Sequence, residues 1–416
     1  MKHMVYFLIL VSVLMLPAEG GAESNSGLLR LPYPKEFEGY RPKALLATAD
    51  GFLLGGEALR PGTGWDISFI RLSLQLILKE QKLLAGDRTD DLVGIRALDS
   101  GYVFLANTSS RTGVLRALYG IQDMNLLRLN RKGEVLWSAV LGGGGLNQAK
   151  EVVVNEGNGA VTVLGSVNRV GGAIPKTHGD LDVTGIVARY NQSGQLQWVT
   201  VLGGEGDDIP GNLVVDGERT WVLYSGWSRR DRWHMYLVQL DGAGKEVRRI
   251  ECGGRALAAD LARLDDGDLL LLGTTDSEDD RYGKPRGKTD ILLMRISERG
   301  RVRWQKRFGG SEDDLAHSLL IGQGGECWVL GTTWSGDGDV GRHMGGSDIW
   351  LLRVGSKGEL LDSQVYGTAD DDMPLQILQG MKRPLVLGAT RVSDDLAEPF
   401  LIVPSGSDDS ARSTWH

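Results

Sequence analysis

The sequence predicts an all-β fold, a seven-bladed β-propeller of four-stranded antiparallel blades, and three observations predict it. The composition is rich in turn residues, one short motif recurs seven times, and the last repeat stops one strand early. The 416 residues include 59 glycines, about twice the usual ~7% share. Tight turns are therefore used many times over. Helical periodicity is nearly absent after the first 22 residues.

The motif is Asp, two residues, two apolar residues, Arg and one more apolar residue. It runs Asp66–Leu72, Asp123–Leu129, Asp290–Ile296 and Asp348–Val354, with weaker copies starting at Thr184, His234 and Glu398. Successive starts lie 50 to 61 residues apart, so each unit keeps one core and varies one loop. Around the Asp348 copy, Gly309-Gly310 precedes an apolar strand through Leu319 and Leu320. A Gly-rich turn, the run Cys327–Thr332, a long polar loop, the motif strand, the turn at Lys357-Gly358 and a last strand to Tyr366-Gly367 follow. Four short apolar runs punctuated by turns describe one four-stranded blade.

The seventh unit ends after Phe400–Val403 with no outer strand, whereas Leu29–Gly39 resembles the outer strand Val302–Gly310 in its closing aromatic, glycine and basic residues. The N-terminal strand is expected to complete the last blade and remove its open edge. The expected organisation is a signal peptide at 1–22, a propeller at 27–404 and a polar tail at 405–416.

Four patterns carry a resemblance to a known family: Gly-Gly-x-x-x-Asp before an apolar strand, Leu-Gly-Thr-Thr, the Asp/Arg motif, and Gly-x-x-x-Trp-x-x-x-x-Gly-Gly. Over nearly all of 27–404 the chain resembles the bacterial secreted β-propeller repeat family (SBBP) and the related delta-60 repeats. Blade four departs from the pattern at His234, and blade seven lacks the Arg. The resemblance implies the fold and an exported location, and it implies no single activity.

The formal net charge of −8 argues against nucleic acid as a partner, because phosphate neutralisation needs clustered Lys and Arg. Lys2, the apolar run Met4–Leu16, Pro17 and small residues up to Ala22 follow the secretory pattern, with cleavage expected after Ala22. No later stretch reaches the ~20 apolar residues of a membrane span. A secreted or periplasmic monomer is expected. Cys252 and Cys327 lack metal-ligand spacing, and either two buried thiols or a disulfide fits them.

The repeated Asp and Arg read as scaffold, since a catalytic carboxylate is needed once and a turn-stabilising one in every blade. Trp137, Trp198 and Trp304, each five residues before a glycine pair, read as outer-strand packing on the next blade. In this topology the blade connections and the loops between second and third strands share one face. That face is expected to be acidic, with Asp90, Asp91, Asp207, Asp208, Asp313, Asp314 and 370–372 from the connections and Asp276, Asp279, Asp280, Asp337 and Asp339 from the loops. Asp337 and Asp339 are the best Ca²⁺ candidates, although they lack the spacing of a full calcium loop. No cofactor is otherwise expected.

Blade four differs from its neighbours in a short, basic and aromatic loop. Trp227, Arg229, Arg230, Trp233 and His234 are the candidate residues for a protein or glycan partner, because Trp and Arg dominate binding hot spots. The six histidines are scattered, no His-Glu-x-x-His or Gly-x-Ser-x-Gly occurs, and the glycine clusters do not precede helices. The expected function is a non-enzymatic binding or scaffold propeller. The alternative is a carbohydrate-binding or carbohydrate-active (lyase or hydrolase) propeller.

Overall fold

Near-continuous apolar runs form the second and third strands of each repeat, and such runs are stable only where both faces are covered. In the computed structural model, which describes residues 28–404 apart from 179–181, 229–231, 279–281 and 381–382, they are covered on both sides by neighbouring blades. Val161–Val167 and Thr184–Tyr190, for example, are buried at every position. The expected signal peptide (1–22) and polar tail (405–416) lie outside the described residues.

Seven four-stranded sheets follow one another in sequence, each running from an inner to an outer strand. Blades one to six span 39–84, 90–141, 147–201, 208–254, 256–308 and 314–366, and blade seven takes 372–402. Its outer strand is Leu28–Arg30, antiparallel to Ala397–Ile402, with Leu28 opposite Ile402 and Arg30 opposite Phe400. The Leu31 amide donates to the Pro399 carbonyl at 2.9 Å, and Arg30 pairs with Glu398. The closing strand is shorter than the Leu29–Gly39 likeness suggests. Pro32 and Pro34 lack the amide that would extend the ladder, so the following residues cross to blade one.

The core is divided in seven, one apolar cluster per blade interface. Leu31, Leu45, Leu387 and Leu401 seal blade seven to blade one. Trp350 and Leu352 pack against Ile291 and Leu293 between blades five and six. The repeated Trp acts as expected: Trp137 Nε1 donates to the Gln192 carbonyl at 3.1 Å, Trp198 to Gly242 at 3.0 Å and Trp304 to Ser356 at 2.9 Å. Each acceptor lies in a turn of the next blade. Gly194 in one such turn has φ of 81°, and a Cβ there would stand 2.7 Å from the Trp137 ring. Position 194 therefore requires glycine for both its backbone and its space.

The motif Arg pairs mostly with acids, Arg71 with Glu80 at 3.0 Å, Arg189 with Glu218 at 3.2 Å and Arg353 with Glu326 at 2.8 Å. Arg295 takes Asp266 and Asp268. Arg128 differs, donating to the Tyr102 and Leu129 carbonyls and to Ser100. Cys252 in blade four and Cys327 in blade six are free thiols. Burial pushes both up to about 12.

Candidate functional site

The acids that open the inner strands do not produce the expected charged face. Asp90, Asp208, Asp314 and Asp372 are buried. Asp314 accepts from Thr333 Oγ1 at 2.5 Å, Ser335 Oγ at 3.0 Å and the Gly310 amide at 2.7 Å, and Asp372 accepts from Thr390 Oγ1 at 2.6 Å. A carboxylate that satisfies a connection and a neighbouring strand is drawn inside. Burial pushes Asp90 and Asp208 up to about 7 and raises Asp314 and Asp372. The motif acids tie down their own second-to-third loops: Asp123 Oδ2 accepts the Leu118 and Tyr119 amides at 2.7 Å each, and Asp348 Oδ2 the Met344 amide at 2.7 Å.

The exposed remainder is mostly engaged as well. Asp207 accepts the Val183 amide at 2.8 Å, Asp371 the Ser347 amide at 2.8 Å, and Asp276 pairs with Arg255 at 2.8 Å. Asp337 accepts the Ser311 amide at 2.7 Å, and Asp339 lies 2.9 Å from the Arg286 guanidinium. Among the described residues no three His, Cys, Asp or Glu side chains converge as a metal would need. Asp279 and Asp280 lie outside the described residues.

In blade four, Trp227 and Trp233 stand opposite each other in the hairpin ladder, ring centroids 5.3 Å apart and tilted at 68°. This edge-to-face contact stiffens both rings while Trp227 remains 39% exposed. Its amide donates to the Asp207 carbonyl at 2.7 Å, as the amide of exposed Trp334 does to Asp313 at 3.0 Å two blades on. His234 is buried, with Nδ1 2.9 Å from Glu251 Oε1. It fills the motif acid's place at the start of the third strand. Arg229 and Arg230 lie outside the described residues.

A second feature of this face, which the sequence reading passed over, lies on blades two and three. Leu118, Tyr119 and Ile121 from one loop, Leu146 from the connection and Val170 from the next loop are all 41% exposed or more. The Ile121 amide donates to Gly145 at 2.8 Å and the Gly144 amide to Val170 at 3.0 Å. These loops are cross-tied, so the apolar residues are presented on fixed backbone.

The inner strands enclose an open central channel of about 1190 Å³. Every inner strand carries a bulge at the same level. Near this level stand Lys43, Lys150, Glu151, Asp260 and His317. Lys43 Nζ is 3.3 Å from Glu57, whose carboxyl also accepts the Leu92 amide of the next blade at 3.1 Å. Burial pushes Glu57 up to about 7 against the pull of Lys43. Asp260 accepts the Leu261 amide at 2.7 Å, the Leu319 amide at 2.6 Å and Asn212, with burial raising it to about 7. His317 is wetted by the channel yet ringed by protein; that enclosure, with Lys150 nearby, lowers it to about 4.

No family model matches the chain. The regulatory protein FlaEY of Caulobacter vibrioides is 25% identical over 184 residues, 41% of this chain. The chain spans about a fifth of that relative's length, 19%. The β-propeller domain of the Trilobed protease from Pyrococcus furiosus superposes with a TM-score of 0.50 at 9% identity, over 88% of this chain and 97% of that domain. Pyrococcus horikoshii acylaminoacyl peptidase gives 0.48 at 11% identity, over 88% of this chain and 51% of the peptidase. The likeness to the Trilobed protease domain concerns the fold alone. No helix among the described residues is long and apolar enough to cross a membrane.

Proposed function

We propose that the chain is an exported, non-enzymatic binding or scaffold propeller that engages a protein partner through the face bearing the second-to-third loops. One observation carries this reading: exposed apolar and aromatic side chains gather there on cross-tied backbone, at Leu118, Tyr119, Ile121, Leu146 and Val170 and again at Trp227, whose ring is braced by the half-buried Trp233. Pre-ordered apolar side chains lose little entropy on binding, and exposed apolar patches mark interaction sites. The repeat resemblance and the N-terminal secretory pattern support export to the periplasm or cell exterior. The proposal includes no cofactor, since Asp337 and Asp339 already have partners, and it takes the free chain as a monomer.

Trp227→Ala and Ile121→Ser are expected to abolish capture of one specific protein from the producing organism's envelope while leaving the melting temperature within about 1 °C, as surface substitutions do. Equal capture by wild type and both variants would overturn the proposal. The exposed Trp227 ring also favours a second reading, stacking on a sugar. That reading predicts quenching of tryptophan fluorescence by a glycan, lost in Trp227→Ala, and a flat response across a broad panel would remove it.

A further inference from the structure

The rim of the channel is divided by polarity. Two residues before the bulge, blades four to seven place Ile209, Leu257, Leu315 and Met373 at one level, each between 36% and 43% exposed. At the same level blades one to three place Arg41, Asp91 and Gln148. Four adjacent blades thus present an apolar arc to water, opposite a polar one. The scaffold gains nothing from leaving these four side chains wet, because apolar area is stabilising only when removed from water.

One layer down, the charges of the channel wall are paired off except for one. Lys43 is matched by Glu57, Arg96 by Glu151, and Asp260 by two backbone amides and Asn212. Lys150 lines the same cavity, exposed, and has neither an ion pair nor a hydrogen bond among the described residues. His317, on the inner strand of blade six, lines it too, and among the described residues its side-chain hydrogen bond is to Ser318 Oγ at 3.2 Å. An unmatched ammonium within a walled cavity attracts an anion, and the low-dielectric walls strengthen that attraction.

We propose that the channel binds a small organic carboxylate bearing an apolar portion, with Lys150 taking the carboxylate and Leu257 and Leu315, the two residues of the arc that line the cavity, covering the hydrocarbon. His317 lines the same cavity from blade six as a second nitrogen donor for the carboxylate, with Ser318 Oγ 3.2 Å from its Nδ1. The site is separate from the partner-binding loops of blades two to four, so the two readings fail independently.

The test is calorimetric titration of the purified protein with octanoate, decanoate and phenylacetate, with octanol, octylamine and acetate as comparators. At least one of the three probe carboxylates is expected to bind saturably at one site per chain. Octanol, lacking the charge, and acetate, lacking the tail, are each expected to bind about tenfold more weakly or worse. Lys150→Met keeps the aliphatic stem and is expected to lose about tenfold or more in affinity, and Leu315→Ser to weaken binding at unchanged melting temperature. Absence of saturable binding by all three carboxylates, full affinity in Lys150→Met, or equal binding of octylamine would each overturn the proposal. Tryptophan variants at 227 are expected to leave the titration unchanged.

Discussion

Deleting residues up to Leu31 is expected to open the ring and lower stability by about 5 kcal/mol or more, from one buried leucine, two flanking apolar contacts and a lost strand pairing. Leu31 is 4% exposed in the cluster that seals blade seven to blade one, and Leu28 and Leu29 pack on the clusters either side of that blade. The deletion also bares Ala397–Ile402 as an edge strand. An uncovered apolar edge pairs with other chains. Both a depressed thermal transition and concentration-dependent association on gel filtration are therefore expected. Leu31→Ala keeps the strand backbone and is expected to cost about 2–4 kcal/mol without association. A truncated chain that melts like the intact one would show that the ring closes without its N-terminal strand.

The second large effect is a gain in thermal stability on mild acidification. Glu57, Asp90, Asp208 and Asp260 are each pushed up to about 7, with burial the leading cause. In the unfolded chain such groups titrate near ~4. Between about pH 4 and pH 7 the folded chain holds protons that the unfolded chain has released, so stability falls as pH rises through this window and levels off above it. Asp87, held low by the Arg111 amide, and His178 and His317, lowered by burial, work in the opposite direction; Asp87 is fully exposed and contributes little, and the two histidines offset part of the gain from the four carboxyls below about pH 6.5. The melting temperature is expected to be higher at pH 5 than at pH 7.5, on the order of several degrees. Glu57→Gln retains an acceptor for the Leu92 amide and is expected to flatten part of the slope. A melting temperature that falls steadily from pH 7.5 to pH 5 would contradict the burial of these acids.

The architecture was legible because it is written in repetition. The spacing of the Asp/Arg motif gave the blade count, the missing outer strand after Val403 pointed to closure by the N-terminus, and the spacing of Trp137, Trp198 and Trp304 before glycine pairs gave the outer-strand packing. The face chemistry was legible only in part. Asp314 and Asp313 are neighbours in a polar turn, and which of them turns inward depends on the Thr333 and Ser335 hydroxyls reaching across from the next strand. Sequence proximity carries no trace of that contact.

The lining of the central channel was not legible in the sequence for a related reason. Its wall depends on inner strands whose bulge breaks the two-residue alternation, so Lys150 and Glu151 cannot be assigned to faces by counting. A usable signal was present in the small residue or proline just before the bulge, at Pro42, Ala149, Pro210, Ala258, Ala316 and Pro374, since proline within a sheet marks a bulge or an edge. The apolar loop residues Leu118 and Ile121 were missed because irregular segments have no period to expose their direction.

The central claim is that the loop-bearing face is where this propeller works, and photo-crosslinking in the producing cell tests it most directly. A photoreactive side chain at Ile121 or Trp227 samples that face, and one at the exposed Lys357, in the turn before the outer strand of blade six, samples the opposite one. The predicted result is a discrete adduct of the same mass from position 121 or 227 and none from 357. Adducts from position 357 alone, or from none of the three, would contradict it.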